Sequence, residues 1–219
     1  MSRARLAVLV SGRGSNLEAL RSACEAGLIA ADIVLVGSNR PHAPAVRWAH
    51  DAGIATLASD SRGCGDRAAW DRGFLAEVAA FWPDWIVLAG FMRQLDGPAI
   101  SKWIGRMINV HPSLLPKYPG LHTHRRVLEA GEREHGASVH FVTAELDGGP
   151  VLAQVRMPVQ QGDTPESLAA RLLPLEHRLL VASVAFLLSH RVELMSGCIW
   201  LEGVPMSGPL QLDEGSALR

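Results

Sequence analysis

Asn109 and His111 lie two residues apart just before Pro112, so in an extended segment their side chains point the same way. An amide N–H₂ can donate to a developing oxyanion, and an imidazole can stabilise that charge or move a proton, so the pair suits acyl transfer. A histidine before proline also fits a purely structural hydrogen-bonding role. Asp147, in Leu146-Asp147-Gly148-Gly149, adds a carboxylate that would raise an imidazole pKa and orient the ring if the two meet. The same Asp-Gly-Gly also reads as a hairpin turn between β segments. A second cluster, Ser11-Gly12-Arg13-Gly14-Ser15-Asn16, follows an apolar run and precedes a helical pattern. Glycines there let backbone N–H groups approach a phosphate, and the helix dipole favours an anion; a tight turn with a serine cap is the alternative.

Other chemistries are excluded by what stands at their key positions. Leu17 occupies the place of the third glycine of a dinucleotide fingerprint, and Asn39 and Arg40 stand where a ribose-binding acid is needed, so NAD is not expected. No Gly-Lys-Ser/Thr and no Gly-x-Ser-x-Gly is present. His111, His122, His124, His135 and His140 come without an HExxH helix or a cysteine partner, so no metal is expected. A formal charge of −1 and a pI near 6.8 supply no global attraction for nucleic acid. Cys24, Cys64 and Cys198 are far apart in sequence, which fits a reducing cytoplasm. The run Leu6 to Val10 is too short for a signal peptide. The nearly apolar stretch Leu179 to Leu188 falls short of the ~18 residues of a membrane span.

These residues need a scaffold that brings loops to one edge, and the hydrophobic pattern supplies it. Leu6 to Val10, Ile33 to Val36, Ile54 to Leu57 and Trp85 to Ala89 read as buried strands. Helical stretches follow Asn16, cover about Ala45 to Ala52, and run from about Asp66 to Trp82. That is the rhythm of an open, mostly parallel, twisted sheet with helices on both faces. Met107 to Val110 is a further strand, ended by a Pro- and Gly-rich loop from Pro112 to Gly120. After a helix near Arg125 to Ala130, Ala137 to Thr143 and Val151 to Val159 predict an antiparallel β segment toward the C-terminal half. A long helix begins near Asp163 or Thr164, with Pro165 in its first turn and a kink expected at Pro174, and ends near His190. Ser207 to Arg219 reads as a loose tail. With 48% apolar and 20% charged residues, a single domain over residues 1–219 is expected, with halves of about 1–105 and 106–205. Locally, Glu176-His177 reads as a surface pair, and Arg67 and Met92-Arg93-Gln94-Leu95 as loop packing.

Four stretches occur in order at characteristic separations: Val10-Ser11-Gly12-Arg13-Gly14-Ser15-Asn16-Leu17, Leu88-Ala89-Gly90-Phe91-Met92-Arg93, Asn109-Val110-His111-Pro112-Ser113-Leu114-Leu115-Pro116 and Leu146-Asp147-Gly148-Gly149-Pro150. Together they resemble the folate-dependent formyltransferases, a Rossmann-related fold family, over residues 5 to 205. Lys117-Tyr118-Pro119-Gly120-Leu121-His122-Thr123-His124 resembles the branch that acts on glycinamide ribonucleotide.

The resemblance implies that Asn109, His111 and Asp147 form the catalytic group, with His111 protonated. It implies further that Gly14, Ser15 and Asn16 hold a substrate phosphate, and that Glu176 contacts the ribonucleotide. Arg67, Met92, Arg93, Gln94 and Leu95 would line the folate pocket, with Asn109 and His140 beside it. The implied partners are small molecules, 10-formyltetrahydrofolate and glycinamide ribonucleotide, for a cytoplasmic monomer or homodimer. Arg13, Gln94 and Arg178-Leu179-Leu180 depart from the usual pattern. Transfer to methionyl-tRNA would be expected to need an additional C-terminal domain, and formylfolate hydrolysis an N-terminal regulatory one. A ligand sensor without turnover would be expected to lack one of the three catalytic groups.

Overall fold

The apolar run after Arg5 forms β1 (Ala4–Val10), whose last five residues are buried. The computed structural model describes residues 3–219, in two compact units. One runs to Asn109 and includes Val142–Ala144; the other comprises Val110–Phe141 and Glu145–Arg219.

In the first unit, β1 is followed by α1 (Ser15–Glu25), β2 (Ala31–Ser38), α2 (Pro44–Asp51), β3 (Thr56–Ala58), α3 (Arg67–Ala79), β4 (Trp85–Leu88), the single turn α4 (Gly97–Ile100), a 3-10 turn (Ser101–Trp103) and β5 (Met107–His111). The strands lie in the order β3-β2-β1-β4-β5, and each neighbouring pair is parallel. The chain winds outward from β1 through β2 and β3, then returns to place β4 on the other side of β1. The carboxyl ends of β1 and β4 therefore flank a topological switch point, where such sheets bind ligands.

One face of these strands is closed by Leu9, Leu35, Phe74, Val78, Ile86, Phe91 and Met107, all buried in one cluster. Each such side chain contributes about 2 kcal/mol by leaving water. Gly37 is required for this packing, since a Cβ there would lie 2.5 Å from Leu9 Cδ2 and 3.1 Å from the Phe74 ring. Trp70 and Phe74 of α3 stack at 4.7 Å between ring centroids, and Phe74 stacks on Phe91 at 6.0 Å. Asp66 caps α3 by accepting the Ala69 N–H at 2.9 Å.

The second unit takes over the end of β5 and continues with α5 (Thr123–Glu129), β6 (Glu134–Phe141), β7 (Val151–Pro158), α6 (Pro165–Ser189), β8 (Val192–Met195), β9 (Cys198–Leu201), β10 (Val204–Pro205) and β11 (Leu210–Gln211). β6 and β7 are antiparallel, as expected for this part of the chain, and β8, β9 and β10 form a small antiparallel sheet. Thr164 and Ser167 cap α6 reciprocally, and the helical run continues through Pro174.

Three expectations need correction. Asp147-Gly148-Gly149-Pro150 is not a tight hairpin: β6 ends at Phe141 and β7 starts at Val151, so Asp147 sits within a longer connection. Residues 207–219 are not a loose tail. Leu210 and Gln211 add β11 parallel to β7, Leu212 bridges to Leu218, and Arg178 of α6 donates to the Asp213 and Glu214 carbonyls at 3.0 and 2.6 Å. Backbone pairing with an available strand edge replaced the hydrophobic pattern that the sequence lacked. α6 is also long and apolar enough to cross a membrane by length and composition, which counting only unbroken apolar residues did not show. Leu168, Leu172, Leu179, Leu180 and Val184 are buried, and the helix packs on β6 and β7.

His135, 1% exposed on β6, meets His124 of α5 with Nε2 to Nδ1 at 2.9 Å, and its own Nδ1 has no hydrogen-bond partner among the described residues. Burial first, then the charges of His124 and His111, lower its pKa from 6.5 to about 4. The native protein therefore binds fewer protons than the unfolded chain across that interval. This stability is complete above pH 6.5 and is lost as the pH falls toward about 4. At 1.36 kcal/mol per unit it is worth about 3 kcal/mol. Urea unfolding at about pH 7 and about pH 4.5 should show a smaller acid loss in His135→Gln than in the wild type; equal losses would remove His135 from the acid response.

Candidate active site

β5 carries Asn109 half-buried and His111 buried at its carboxyl end, two positions apart in the same strand as the sequence predicts. His111 Nδ1 lies 3.4 Å from Asp147 Oδ2, and His140 Nε2 lies 3.6 Å from Asp147 Oδ1. The carboxylate thus stands between two imidazoles, with side-chain exposures of 8% for His111, 11% for Asp147 and 3% for His140. Asp147 takes a left-handed conformation with φ 49°, which aspartate tolerates better than most residues, and its Oδ2 accepts the Gly120 N–H at 2.8 Å. A register shift between Val139 and His140 marks a bulge in β6, the kind of irregularity that re-aims a side chain. His140 was expected at the folate pocket; the structure brings it to the carboxylate.

Electrostatics follow from these contacts. Burial pushes the Asp147 pKa up, but the hydrogen bond from His140, the Gly120 N–H and the charge of His111 outweigh it and keep the carboxyl below its ordinary value. Asp147 is therefore ionised at neutral pH. For His111, burial lowers the pKa, and the Tyr118 carbonyl and Asp147 pull it back only in part. In the free protein, desolvation leaves His111 below its ordinary 6.5. Acceptors nevertheless face both its ring nitrogens, Tyr118 O at 3.0 Å from Nε2 and Asp147 at Nδ1, so a further negative charge nearby would favour the cation.

The loop after β5 is held by a buried polar network that periodicity could not reveal. Ser113 Oγ donates to the Lys117 carbonyl at 2.7 Å, and Ser138 Oγ donates to the Ser113 carbonyl at 2.7 Å. Ser138 Oγ also accepts the Leu115 N–H at 3.0 Å, and Gln154 Nε2 donates to the Leu115 carbonyl at 2.9 Å. Fixing this loop delivers the Tyr118 carbonyl to His111. Tyr118 itself has φ 58°, and its hydroxyl donates to Glu132 at 2.8 Å. The available sequence signal was Gln154, a polar residue in the otherwise apolar Val151 to Val155. Leu121 and Leu146, next in sequence to Gly120 and Asp147, are 66% and 49% exposed and leave an apolar rim beside this carboxylate. Glu176 is buried on α6, which corrects the reading of Glu176-His177 as a surface pair.

In the first unit, the Ser11 to Asn16 stretch forms the expected strand, turn and helix start. Gly14 is the N-cap of α1 with φ 90°, and a Cβ there would lie 2.6 Å from Ala45 Cβ. Ser15 and Asn16 begin the helix, and no side chain caps it, so its first N–H groups remain for another acceptor. Ser11 Oγ donates to Asn39 Oδ1 at 2.5 Å and accepts the Met92 N–H at 2.7 Å. Asn39 in turn donates to Ser61 at 3.2 Å, so the loops after β1, β2, β3 and β4 share one hydrogen-bond chain.

Two of the residues expected at the folate pocket also make structural contacts. The Arg93 guanidinium binds Asp71 at 2.6 Å, donates to the Arg67 carbonyl at 3.1 Å and stacks over Trp70 at 4.6 Å. Leu95 is 5% exposed within the apolar cluster. Arg67, Met92 and Gln94 do line a cavity of about 700 Å³, which Arg93 also touches. Among the described residues, no group of three or more His, Cys, Asp or Glu is arranged to hold a metal ion.

Comparison with known proteins places this geometry. The formyl transferase family profile matches residues 4–184. The chain is 44% identical over 198 residues to a phosphoribosylglycinamide formyltransferase of Escherichia coli K12, covering 90% of this chain and 93% of that one. It is 42% identical over 193 residues to the trifunctional purine biosynthetic protein adenosine-3 of Gallus gallus, spanning 88% of this chain and 19% of that protein. A solved phosphoribosylglycinamide formyltransferase of Coxiella burnetii superposes with a TM-score of 0.89 at 40% identity, covering 94% of this chain and 99% of that one. With the Asn-x-His strand end, the paired carboxylate and the matched profile in one chain, this protein belongs to the formyl transferase family.

Proposed function

We propose that the protein transfers the formyl group of 10-formyltetrahydrofolate to the amine of glycinamide ribonucleotide, giving formylglycinamide ribonucleotide and tetrahydrofolate in purine biosynthesis. The observation that carries this reading is the buried carboxylate of Asp147 between His111 and His140, with Asn109 two residues upstream of His111. The relatives named for that reaction support the choice of acceptor. Both substrates are small molecules, the chemistry calls for neither metal nor NAD, and the protein works in the cytoplasm as a monomer or homodimer.

In this reading the amine nitrogen attacks the formyl carbon, and the carbonyl oxygen becomes an oxyanion. Asn109 donates its amide N–H to that oxygen. That negative charge favours the imidazolium form of His111, which takes its second proton from solvent, stabilises the oxyanion electrostatically beside Asp147 at 3.4 Å, and keeps the proton through the transfer. Asp147, ionised, keeps His111 in place and orients a water that takes a proton from the attacking amine and returns one to the folate nitrogen as its bond to carbon breaks. Leu121 and Leu146 supply apolar walls for a flat ring system, and Arg67, Met92, the Arg93 backbone and Gln94 accept the rest of the folate. Leu95 holds that segment from beneath. Gly14, Ser15 and Asn16 bind the phosphate, and Glu176 meets the ribose hydroxyls.

Purified protein supplied with both substrates should release tetrahydrofolate only when the amine acceptor is present. Asp147→Asn keeps an acceptor for Gly120 but loses the charge, and should lower kcat about 10²- to 10³-fold with the fold intact. Release that ignores the acceptor would identify a hydrolase, and no turnover despite binding of both ligands would contradict the reading.

Gly14→Ala tests the phosphate loop separately. Its Cβ would meet Ala45 in a strained left-handed backbone costing about 1–3 kcal/mol. The KM for glycinamide ribonucleotide should therefore rise about tenfold or more while the folate KM stays unchanged; equal rises in both would place the phosphate elsewhere.

A further inference from the structure

One short backbone segment bears on both central groups of the candidate site. The Tyr118 carbonyl lies 3.0 Å from His111 Nε2, and two residues on the Gly120 N–H donates to Asp147 Oδ2 at 2.8 Å. The first contact raises the proton affinity of His111 and the second lowers that of Asp147, so the segment favours the charged pair. Its conformation is not one that these residues adopt unaided. Tyr118 and His122 have φ 58° and 60°, left-handed values that bulky side chains rarely take. Such a backbone persists only where its surroundings over-determine it. Ser113 Oγ fixes the entry through the Lys117 carbonyl, and Glu132 accepts both the Lys117 ammonium at 2.7 Å and the Tyr118 hydroxyl at 2.8 Å.

Arg126 of α5 holds the centre. Its guanidinium lies 5.3 Å from the centroid of the Tyr118 ring, and its Nη1 donates to the Pro119 carbonyl at 2.5 Å. That carbonyl and the Gly120 N–H belong to the same trans peptide, a rigid plane in which they point in opposite directions. A hydrogen bond on one side therefore sets the direction of the donor on the other, and a cation on the oxygen polarises that donor toward an anion. Resting on the formyl-transfer reading above, we propose that Arg126 is a positioning residue for Asp147: by holding the Pro119 carbonyl it aims the Gly120 N–H at the carboxylate and keeps Asp147 facing His111. Arg126 itself touches no reacting atom. Its charge also reaches His111, where it opposes the second proton, so its hydrogen bond and its charge act on the site in opposite senses.

Two substitutions separate those roles. Arg126→Gln keeps a donor for the Pro119 carbonyl without the charge, and Arg126→Met fills similar space with neither. Amide hydrogen exchange of the free protein, followed by NMR, reads the Gly120 N–H directly. Its protection in Arg126→Gln should stay within about threefold of wild type, whereas in Arg126→Met it should fall about tenfold or more. The kcat should keep the same order, about tenfold lower in Arg126→Met and less than about threefold lower in Arg126→Gln, with the KM for glycinamide ribonucleotide within about twofold throughout. Losses that are equal in the two variants would assign the effect to the charge, and wild-type protection in Arg126→Met would show Gly120 held without Arg126; either overturns the proposal. The expected loss in Arg126→Met is confined to residues 118–122, and a loss spread equally over the β6 amides would mark a general destabilisation and overturn it too. Exchange is read without substrates, so it decides the role of Arg126 even if the wild type shows no acceptor-dependent turnover, a result that would overturn the formyl-transfer reading instead.

Discussion

The carboxylate of Asp147 is the group on which the second unit's chemistry depends, because a buried charge persists only where its surroundings hold it. Two imidazoles and one backbone N–H do so here, and each arrives by a different route: His111 at the end of β5, His140 at a bulge in β6, and Gly120 from the loop between them. Removing any one leaves the charge under-solvated, which is costly in a protein interior. That cost is what makes the arrangement specific, since Asp147 can occupy only the position where all three meet. The same burial depresses the His111 pKa, so the free protein holds a neutral imidazole facing two acceptors. Such a ring is more readily charged by a solvent proton when negative charge develops beside it, and the cation then stabilises the oxyanion of an acyl transfer.

The supporting layers obey one rule, that loops carrying function are pinned by hydrogen bonds buried among strand ends. In the second unit Ser113, Ser138 and Gln154 fix the turn that presents Tyr118. In the first, Ser11 and Asn39 tie the turn before α1 to the segment after β4. Arg93 and Asp71 add a buried ion pair that clamps that segment to α3. These polar groups are satisfied, so they restrict the loops to one arrangement without the penalty of orphaned donors.

How much of this was legible from sequence divides along physical lines. Hydrophobic period identified the parallel α/β alternation, because strands buried on both faces read as unbroken apolar runs, and β1, β2, β4 and α3 fell close to their expected bounds. Asn109 and His111 were legible because a strand's alternation fixes their common side. Asp147 was legible only as a residue type, since its approach to His111 depends on a loop conformation with positive φ. The contacts of Arg93 and Leu95 were not legible because their partners, Asp71 and the α3 face, are distant in sequence. The end of the chain was misread for the opposite reason: β11 and the Arg178 contacts are backbone interactions, which leave little trace in side-chain composition.

The most direct measurement of the central claim is the titration of His111 by nitrogen and carbon NMR of the imidazole, in the wild type and in Asp147→Asn. The account predicts that His111 titrates below an ordinary histidine in the free protein, and that removing the Asp147 charge lowers it further, because that charge is one of the two interactions holding the pKa up. A His111 titration unmoved by the substitution, or raised by it, would contradict the claim that Asp147 governs the proton on His111.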